Sequence, residues 1–252
     1  MAETAATYPS LAGKSVVVTG GASGIGAEIV RRFVAQDARV GFLDRDAGAA
    51  AALRAELGGA PVFAQCDLRD IPALQAALAG IAEAIGPAQV LVNNAARDDR
   101  HDWREVTEAY WDERMQNNLR HVFFAIQAVA PDMIAGGGGA VVNIGSSCWH
   151  EAGGGFPAYA TAKAGVEGLT RTLARDLGPY RIRVNTVVPG WVMTERQRDL
   201  WVTPEKVAVR RAMQCLPDLI EPDAVARMVL FLASDEARFC TAGSFPVTAG
   251  SV

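Results

Sequence analysis

Apolar runs and helical stretches alternate along this chain. The run Val16-Val17-Val18 lies between glycines, and a short β-branched run bounded in this way is typical of a strand buried on both faces. In 25–36, apolar side chains recur at helical spacing, with charged residues such as Glu28 on the opposite side. The chain is therefore predicted to open with a strand, a glycine turn and an amphipathic helix.

The same alternation continues over most of the chain, and strands separated by helices of about ten residues or more predict right-handed crossovers. We therefore predict one α/β domain over 1–252, built on a Rossmann-type doubly wound parallel sheet of about seven strands flanked by helices. A less regular segment, at about 190–217, is predicted to form a substrate lid near the carboxyl ends of the strands. Further strands are predicted at 40–43, 62–66, 90–92, 140–144 and 183–188, and further helices at 47–57, 71–85, 107–135 and 159–177.

Composition and charge argue against nucleic-acid binding and membrane insertion. Half of the residues are apolar and 21% are charged, the formal net charge is -4, and no basic stripe is visible, so no nucleic-acid partner is expected. The most apolar helical stretch, 122–130, is interrupted by Gln127 and falls short of the roughly 20 residues that span a bilayer, so no membrane partner is expected. Residues 1–10 show no signal-peptide pattern. The 4 cysteines form no C-x-x-C pair, so we expect reduced thiols, no metal site and a cytoplasmic location.

A glycine-rich turn joins the first predicted strand to the first helix. Gly20, Gly24 and Gly26 permit a tight turn and a close approach of the backbone to phosphates, and the free amides of a helix N-terminus bind pyrophosphate. Asp44 closes the second strand, where its carboxylate can accept the ribose hydroxyls of an adenosine and repel a 2′-phosphate. These features predict NAD in preference to NADP. The neighbouring Arg45 would favour a phosphate if its side chain turned inward, but we interpret it as a solvated turn residue.

Tyr159 and Lys163 are four residues apart in a predicted helix, so both side chains can point into one cavity. The pKa of a phenol is ordinarily about 10, and a cation within roughly 4 to 6 Å favours the phenolate. We therefore expect Lys163 to lower the pKa of Tyr159 and to make that phenol a usable general acid or base. Taken alone, the spacing often occurs by chance, so the rest of the chain has to support it.

The glycine turn and the Tyr159/Lys163 pair belong to a longer series of motifs, which follow one another along nearly the whole chain. The series consists of Thr19-Gly20-x-x-x-Gly24-x-Gly26, Asp67, Asn93-Asn94-Ala95, Asn118, Ser146, Tyr159-x-x-x-Lys163 and Pro189-Gly190. In order and approximate spacing, this series strongly resembles that of the short-chain dehydrogenase/reductase family.

The resemblance implies a division of chemical roles. Tyr159 would exchange a proton with the substrate oxygen, Ser146 would hydrogen-bond that oxygen, and Lys163 would lower the phenol's pKa and bind the nicotinamide ribose. Asn118 would hold a water that links Lys163 to solvent. Ser146 is preferred to Ser147 because its interval to Tyr159 is the usual one in the family. The cofactor-binding residues expected are Gly20, Ser23, Gly24, Ile25, Gly26, Asp44, Cys66, Asp67, Leu68, Asn94, Ala95, Tyr159, Lys163, Pro189, Gly190, Val192 and Thr194.

A narrower resemblance is to the bacterial aldose 1-dehydrogenases of this family, the D-xylose and L-arabinose type. Its fragments lie largely outside the general motifs, notably in 98–101, 110–114 and 201–205. It implies NAD-dependent oxidation of an aldose at C1 to a lactone. A sugar pocket needs paired polar side chains and an aromatic platform. The substrate residues expected are Asp98, Ser146, Trp149, His150, Tyr159, Trp191 and Gln197.

Two departures from the family pattern leave alternatives open. The three glycines at 153–155 remove side-chain walls just ahead of Tyr159, which suits a wider pocket or a different sugar. Pro246 falls inside the last expected strand, which should therefore be an edge or irregular strand. Family members commonly assemble through that region, so a homo-oligomer is expected, either a dimer or a tetramer. A carbonyl or keto-acid reductase and a non-catalytic nucleotide-binding module remain alternative functions.

Overall fold

The computed structural model of this protein describes residues 6–252. Residues 1–5, which form half of the segment interpreted above as lacking a signal peptide, lie outside the described residues. Within 6–252, no helix combines the length and the apolar character that a membrane crossing requires.

Seven parallel strands form one sheet, which confirms the predicted fold class. The strand order is β3-β2-β1-β4-β5-β6-β7. Because β4 returns to pair with β1 on the side opposite to β2, the order reverses there and opens a crevice at the carboxyl ends of the strands. The strands are β1 (Ser15–Thr19), β2 (Arg39–Asp44), β3 (Val62–Gln65), β4 (Val90–Asn93), β5 (Gly139–Ile144), β6 (Ile182–Pro189) and β7 (Ser244–Val247).

Helices connect the strands and cover both faces of the sheet. They are α1 (Gly24–Val34), α2 (Ala47–Glu56), α3 (Ile71–Ile85), α4 (Glu108–Met115), α5 (His121–Ala135), α6 (Pro157–Leu177), α7 (Glu195–Leu200), α8 (Pro204–Met213) and α9 (Pro222–Ala233). Short 3₁₀ turns lie at Pro9–Leu11, Gly178–Tyr180 and Asp235–Ala237.

The core follows from the period-two alternation of the strands. Val16 and Val18 of β1 are fully buried against α1 and α9, in a cluster that includes Phe33. Val17 points to the other face, where it joins Ile81 and Ile126 from α3 and α5. Burying one such side chain stabilises the fold by about 1.5–3 kcal/mol, so the two apolar layers fix where the strand ends meet.

The helix expected over 107–135 is interrupted by a π-helical turn at Gln116–Arg120, between α4 and α5. Asn118 lies in this turn, and its Nδ2 donates to the main-chain oxygen of Arg114, 3.0 Å away. The side chain thus occupies the carbonyl four residues back, which is the acceptor that a regular helix would use for a backbone amide. Turns of this kind are common at functional sites.

The segment expected to be irregular contains two short helices. Both α7 and α8 begin with a threonine cap, since Thr194 accepts from the Gln197 amide and Thr203 accepts from the Lys206 amide. The following helix, α9, was not predicted; it packs against α1 and the sheet. The threonine caps and the proline that opens each of α8 and α9 are the sequence signals that could have identified these helices.

Strand β7 is the edge strand that Pro246 predicted. Within the described part of the chain it pairs with β6 alone, and the amides of Thr186 and Gly190 donate to the oxygens of Gly243 and Val247. Residues 243, 245 and 247 therefore face β6, and Pro246 falls on the open side, where its missing N–H removes no ladder bond.

Candidate active site

A cavity of about 1030 Å³ lies at the carboxyl ends of β1, β4, β5 and β6. Pockets for small ligands measure about 300–1,000 Å³, so this one has room for a nucleotide and a small substrate. One end is bordered by the glycine turn and Asp44, and the other by α7 and α8. Gly24 and Asn118 are the two predicted cofactor or catalytic residues that do not line it.

The glycine turn provides a cradle that larger side chains would fill. A Cβ on Gly26 would lie 1.9 Å from the main-chain oxygen of Gly20, which itself has a φ of +65°. Ser23 precedes α1 without capping it through its side chain, so the first amides of the helix point toward the cavity without a side-chain partner. The residues present thus fit a pyrophosphate.

Asn94 braces this cradle from β4. Its Nδ2 donates to the main-chain oxygens of Thr19, at 3.1 Å, and Gly20, at 2.8 Å. In return, the Thr19 hydroxyl accepts from the amides of Asn94 and Ala95. The amide side chain predicted to contact the cofactor therefore already uses its donors to hold the turn in shape.

Asp44 lies at the cavity wall, where β2 ends. Its Oδ2 accepts from the Ala22 amide at 3.0 Å and its Oδ1 accepts from the Asp46 amide at 3.1 Å, so the turn and the start of α2 orient the carboxylate. Arg45 is exposed. Asp67 also lines the wall, but Arg69 holds it with an Nη2–Oδ2 distance of 2.6 Å and thereby lowers its pKa.

Tyr159 and Lys163 reach the cavity from α6, and Ser146 reaches it from the end of β5. The Lys163 ammonium donates to the main-chain oxygen of Ile144, 2.6 Å away, and lies 5.8 Å from the centroid of the Tyr159 ring. Ser146 acts as a hydrogen-bond partner of Tyr159 and accepts from the Cys148 amide at 3.3 Å. The structure thus brings these three predicted catalytic side chains together.

Burial has the largest effect on the pKa values of Tyr159 and Lys163. It raises the pKa of Tyr159 above its ordinary value, with Cys148 and Asp98 acting in the same direction, while the Ser146 hydrogen bond acts against it. This corrects the expectation of a lowered phenol pKa, because loss of solvation outweighs the Ser146 hydrogen bond and the charge of Arg100. Burial also lowers the pKa of Lys163 to about 8.

Asn118 lies behind the cavity wall. Its Oδ1 accepts from the Arg97 amide at 2.7 Å, so the side chain ties the π-helical turn to the loop after β4. His121, one helical turn further on, is fully buried, and its Nε2 lies 3.1 Å from the main-chain oxygen of Ala95. Burial, reinforced by the charge of Lys163, lowers the pKa of His121 to about 4. A neutral imidazole therefore supports the cavity wall near Lys163.

Three of the predicted substrate residues form a hydrogen-bonded chain. The indole Nε1 of Trp191 donates to Oε1 of Gln197 at 2.9 Å, and Nε2 of Gln197 donates to Oδ2 of Asp98 at 2.7 Å. All three line the cavity. They join the loop after β4 to α7 and present an aromatic plane with polar edges, as a sugar requires.

Trp149 and His150 are not brought into the cavity, which corrects their prediction as substrate residues. Both rings turn toward α6, where Oε1 of Glu167 accepts from Trp149 Nε1 at 3.1 Å and lies 3.0 Å from His150 Nε2. The rings stack with centroids 3.7 Å apart. Ser244 of β7 donates to the second carboxylate oxygen at 2.7 Å. The Glu167 carboxylate, on the packed face of α6, is thus the hydrogen-bond partner of both rings. A glutamate on the apolar face of this helix is the sequence signal that could have shown this.

The cavity is also lined by charged and aromatic residues that were not among the predicted site residues. The Arg100 guanidinium lies 4.1 Å from the Phe156 ring centroid and 5.4 Å from that of Trp201. Asp99, the preceding residue, pairs with Arg97, Arg114 and Arg196. Its contacts with Arg97 and Arg114 keep its pKa low against the effect of burial. The residues missed on the cavity wall include Arg97, Arg100, Glu151, Phe156, Arg196, Trp201, Lys206 and Arg210.

Comparisons with known proteins place the chain among dehydrogenases. A family model described as enoyl-(acyl carrier protein) reductase matches residues 20–251. The chain is 52% identical over 250 residues to a D-xylose 1-dehydrogenase of Caulobacter vibrioides, covering 98% of this chain and 99% of that protein. It is 47% identical over 247 residues to a Rhizobium meliloti protein described as a probable galactose dehydrogenase, covering 96% of each. A solved short-chain type dehydrogenase/reductase from Mycobacterium ulcerans superposes with a TM-score of 0.91 at 26% identity, covering 98% of this chain and 91% of that one.

Proposed function

The chain belongs to the short-chain dehydrogenase/reductase family, and from this premise we propose that it oxidises an aldose sugar at C1 to the aldonolactone, with NAD as the hydride acceptor. The main observation behind the proposal is that two different groups of side chains line one cavity. Ser146, Tyr159 and Lys163 converge on one side, and the Asp98–Gln197–Trp191 chain faces the same space. The similarity to enzymes named for D-xylose and galactose supports the sugar as substrate.

The cofactor site proposed is the cradle of the glycine turn together with Asp44. Members of this family use nicotinamide cofactors, which, when bound, supply the hydride acceptor. Asp44 and the exposed Arg45 both line the cavity, and Asp44 presents a carboxylate to it. A carboxylate repels a 2′-phosphate, so we propose NAD rather than NADP. The other contacts proposed are Ser23, Gly24, Ile25, Cys66, Asp67, Leu68, Ala95, Pro189, Gly190, Val192 and Thr194.

The chemistry assigned to the chain is proton transfer at one oxygen. Oxidation of a cyclic aldose removes the proton of the C1 hydroxyl and a hydride from C1, and leaves a carbonyl in the ring ester. Tyr159 accepts that proton, and Ser146 hydrogen-bonds the same oxygen and stabilises charge as it develops. Lys163 supplies the positive charge that favours the phenolate. Asn118, which lies just outside the cavity lining, is proposed to hold a water that links Lys163 to solvent.

The segment over 190–217 is proposed as the substrate lid, because α7 contributes Gln197 and α8 contributes Arg210 to the cavity wall. We also propose a homo-oligomer in the cytoplasm. The 4 cysteines are free thiols, two of them buried, as a reducing compartment allows.

A substrate screen tests the proposal. Purified protein is given pentoses, hexoses, deoxy sugars, sugar alcohols and simple ketones, each with the oxidised or reduced form of both nicotinamide cofactors. We expect aldose-dependent NADH formation, with lactone as the product, and slower reaction with NADP. Turnover of ketones or sugar alcohols without turnover of any aldose would contradict the assignment of the substrate, and inactivity with every cofactor would contradict catalysis itself.

A further inference from the structure

Arg210 of α8 is buried at the cavity wall and is not part of the machinery described above. Its side chain is 8% exposed, and the Glu151 side chain beside it is 12% exposed. Nη1 of Arg210 donates to Oε2 of Glu151 at 2.8 Å, and Nη2 donates to the Ser251 hydroxyl at 3.1 Å. Ser251 in turn donates to Oε1 of Glu151 at 2.7 Å. A closed triangle of three side chains thus joins the lid, the loop after β5 and the C-terminal segment.

The triangle leaves donors of Arg210 unused. Among the residues that the structure describes, Nε of Arg210 has no hydrogen-bond partner although it is buried. A guanidinium has five N–H donors and no acceptor, and a buried donor without a partner is destabilising. Such a cost is offset when a ligand oxygen reaches the donor. Hydroxyl-rich molecules provide oxygens of this kind.

Arg210 lines the same cavity as Ser146 and Tyr159. A Cβ on Gly190 would lie 2.7 Å from Nη2 of Arg210, so the guanidinium packs directly over the backbone that follows β6. Glu151, its partner, also takes a hydrogen bond from Ser147, the neighbour of Ser146 in the chain. Glu151, Arg210, Ser146 and Tyr159 all line the one cavity.

We propose that Arg210, oriented by Glu151 and Ser251, is a specificity-determining residue that donates to a hydroxyl of the sugar away from C1. This inference rests on the proposed function and adds a substrate contact to it. Glu151 and Ser251 are positioning residues, because their oxygens are used in holding the guanidinium. The charged pair also gives the cavity a polar wall beside the glycines at 153–155, where Gly153 and Gly154 line it without side chains.

The test measures kcat and KM for the preferred aldose and for its deoxy analogues, each lacking one hydroxyl. Arg210→Met should raise KM about tenfold or more, which is the loss of about 1.4 kcal/mol of binding, with kcat changed by less than about threefold. For one deoxy analogue the wild-type and variant KM values should coincide, because the missing hydroxyl is the one that Arg210 contacts. Arg211→Met, an exposed arginine on the same helix, is the matched control and should leave both constants unchanged.

A second variant distinguishes the loss of a substrate contact from a loss of protein stability. Arg210→Met alone leaves the buried Glu151 carboxylate unpaired, whereas the double variant Glu151→Leu/Arg210→Met removes both charges, a change that is often neutral for stability. We expect the double variant to recover the wild-type melting temperature but to keep the raised KM. Recovery of the wild-type KM would overturn the inference, since the triangle would then serve structure alone. An unchanged KM in Arg210→Met would also overturn it, while leaving aldose oxidation intact. Absence of aldose turnover in the wild type would instead contradict the proposed function and this inference together.

Discussion

The ammonium of Lys163 is hydrogen-bonded to the main-chain oxygen of Ile144, two positions before Ser146 in the chain. This bond joins α6, which carries Tyr159, to the end of β5, which precedes Ser146. Lys163 therefore contributes a structural contact as well as a charge. We expect its removal to disturb the placement of Tyr159 and Ser146, the two side chains with which it is proposed to act.

Replacing Tyr159 by Phe should lower kcat by about 10²–10⁴-fold, because the proton acceptor at the C1 oxygen is lost. Cofactor affinity should change little, since the ring and its edge contact with Phe156 are retained. Steady-state rates and NADH fluorescence titration measure the two effects separately. Tyr180→Phe, which removes the hydroxyl of a half-exposed tyrosine, is the control and should match the wild type. A Tyr159→Phe enzyme with a near-normal rate would rule out the assigned role.

Replacing Gly26 by Ala should weaken cofactor binding by about tenfold or more and lower stability, because the new methyl group would collide with the Gly20 oxygen. Gly80→Ala is the matched control. It lies in α3 with no atom within 4 Å of the added Cβ, and alanine should stabilise the protein there by about 0.5–1 kcal/mol. Thermal unfolding and cofactor titration of both variants check the pair. Equal cofactor affinity in Gly26→Ala and the wild type would contradict the proposal that the glycine turn binds the cofactor.

Replacing Asp44 by Ser should shift cofactor preference toward NADP, because the carboxylate that repels the 2′-phosphate is removed while Arg45 remains. The ratio of kcat/KM for NAD to that for NADP should fall by about tenfold or more. Asp46→Ser is the control, because serine can still accept from the Ala49 amide as a helix cap. A ratio that stays at the wild-type value would show that Asp44 does not select the cofactor.

His121 should make stability depend on pH between about 4 and 6.5. Its folded-state pKa is lowered from 6.5 to about 4, so in this interval the unfolded state binds more protons, and stability rises with pH. The stabilisation is complete above pH 6.5 and is lost as the pH falls to about 4; the full difference is about 3 kcal/mol.

The His121→Gln variant keeps a donor for the Ala95 oxygen and has no titrating group. Denaturant unfolding of both proteins from pH 4 to 7 gives the difference in their free energies of unfolding. We expect the wild type to lose more stability than the variant as the pH falls. Parallel curves would show that His121 is not held neutral in the folded state.

Most of the fold could be predicted from the sequence because apolar residues form short continuous runs in its strands and recur at helical spacing in its helices. The bounds of the helix α3 were predicted to the residue, and those predicted for strands β2 to β6 differed by at most one position at each end. The π-helical turn was not predictable from periodicity, since it depends on a bond between the Asn118 side chain and the helix backbone. The helices of the lid and α9 were missed because the chain around Pro217 was treated as irregular.

Ser146, Tyr159 and Lys163 line the cavity as predicted, and so do the loop residues Asp98 and Trp191, whereas Trp149 and His150 do not. Ser146, Tyr159 and Lys163 converge because the parallel sheet aligns strand ends and helical spacing aligns the pair. Trp149 and His150 turned away because Glu167, distant in the chain, is their partner. Arg210 and Glu151 meet only in three dimensions, so no local pattern could have paired them.

Pro246 has a consequence for how this molecule meets others. Its missing N–H is on the open side of β7, at the end of the sheet, so an incoming strand would find a gap in the row of donors that it needs. The sheet is thereby protected from growing by backbone pairing, as happens in aggregation. Any second copy that docks along this edge must use side-chain contacts, which are specific to sequence in a way that backbone pairing is not.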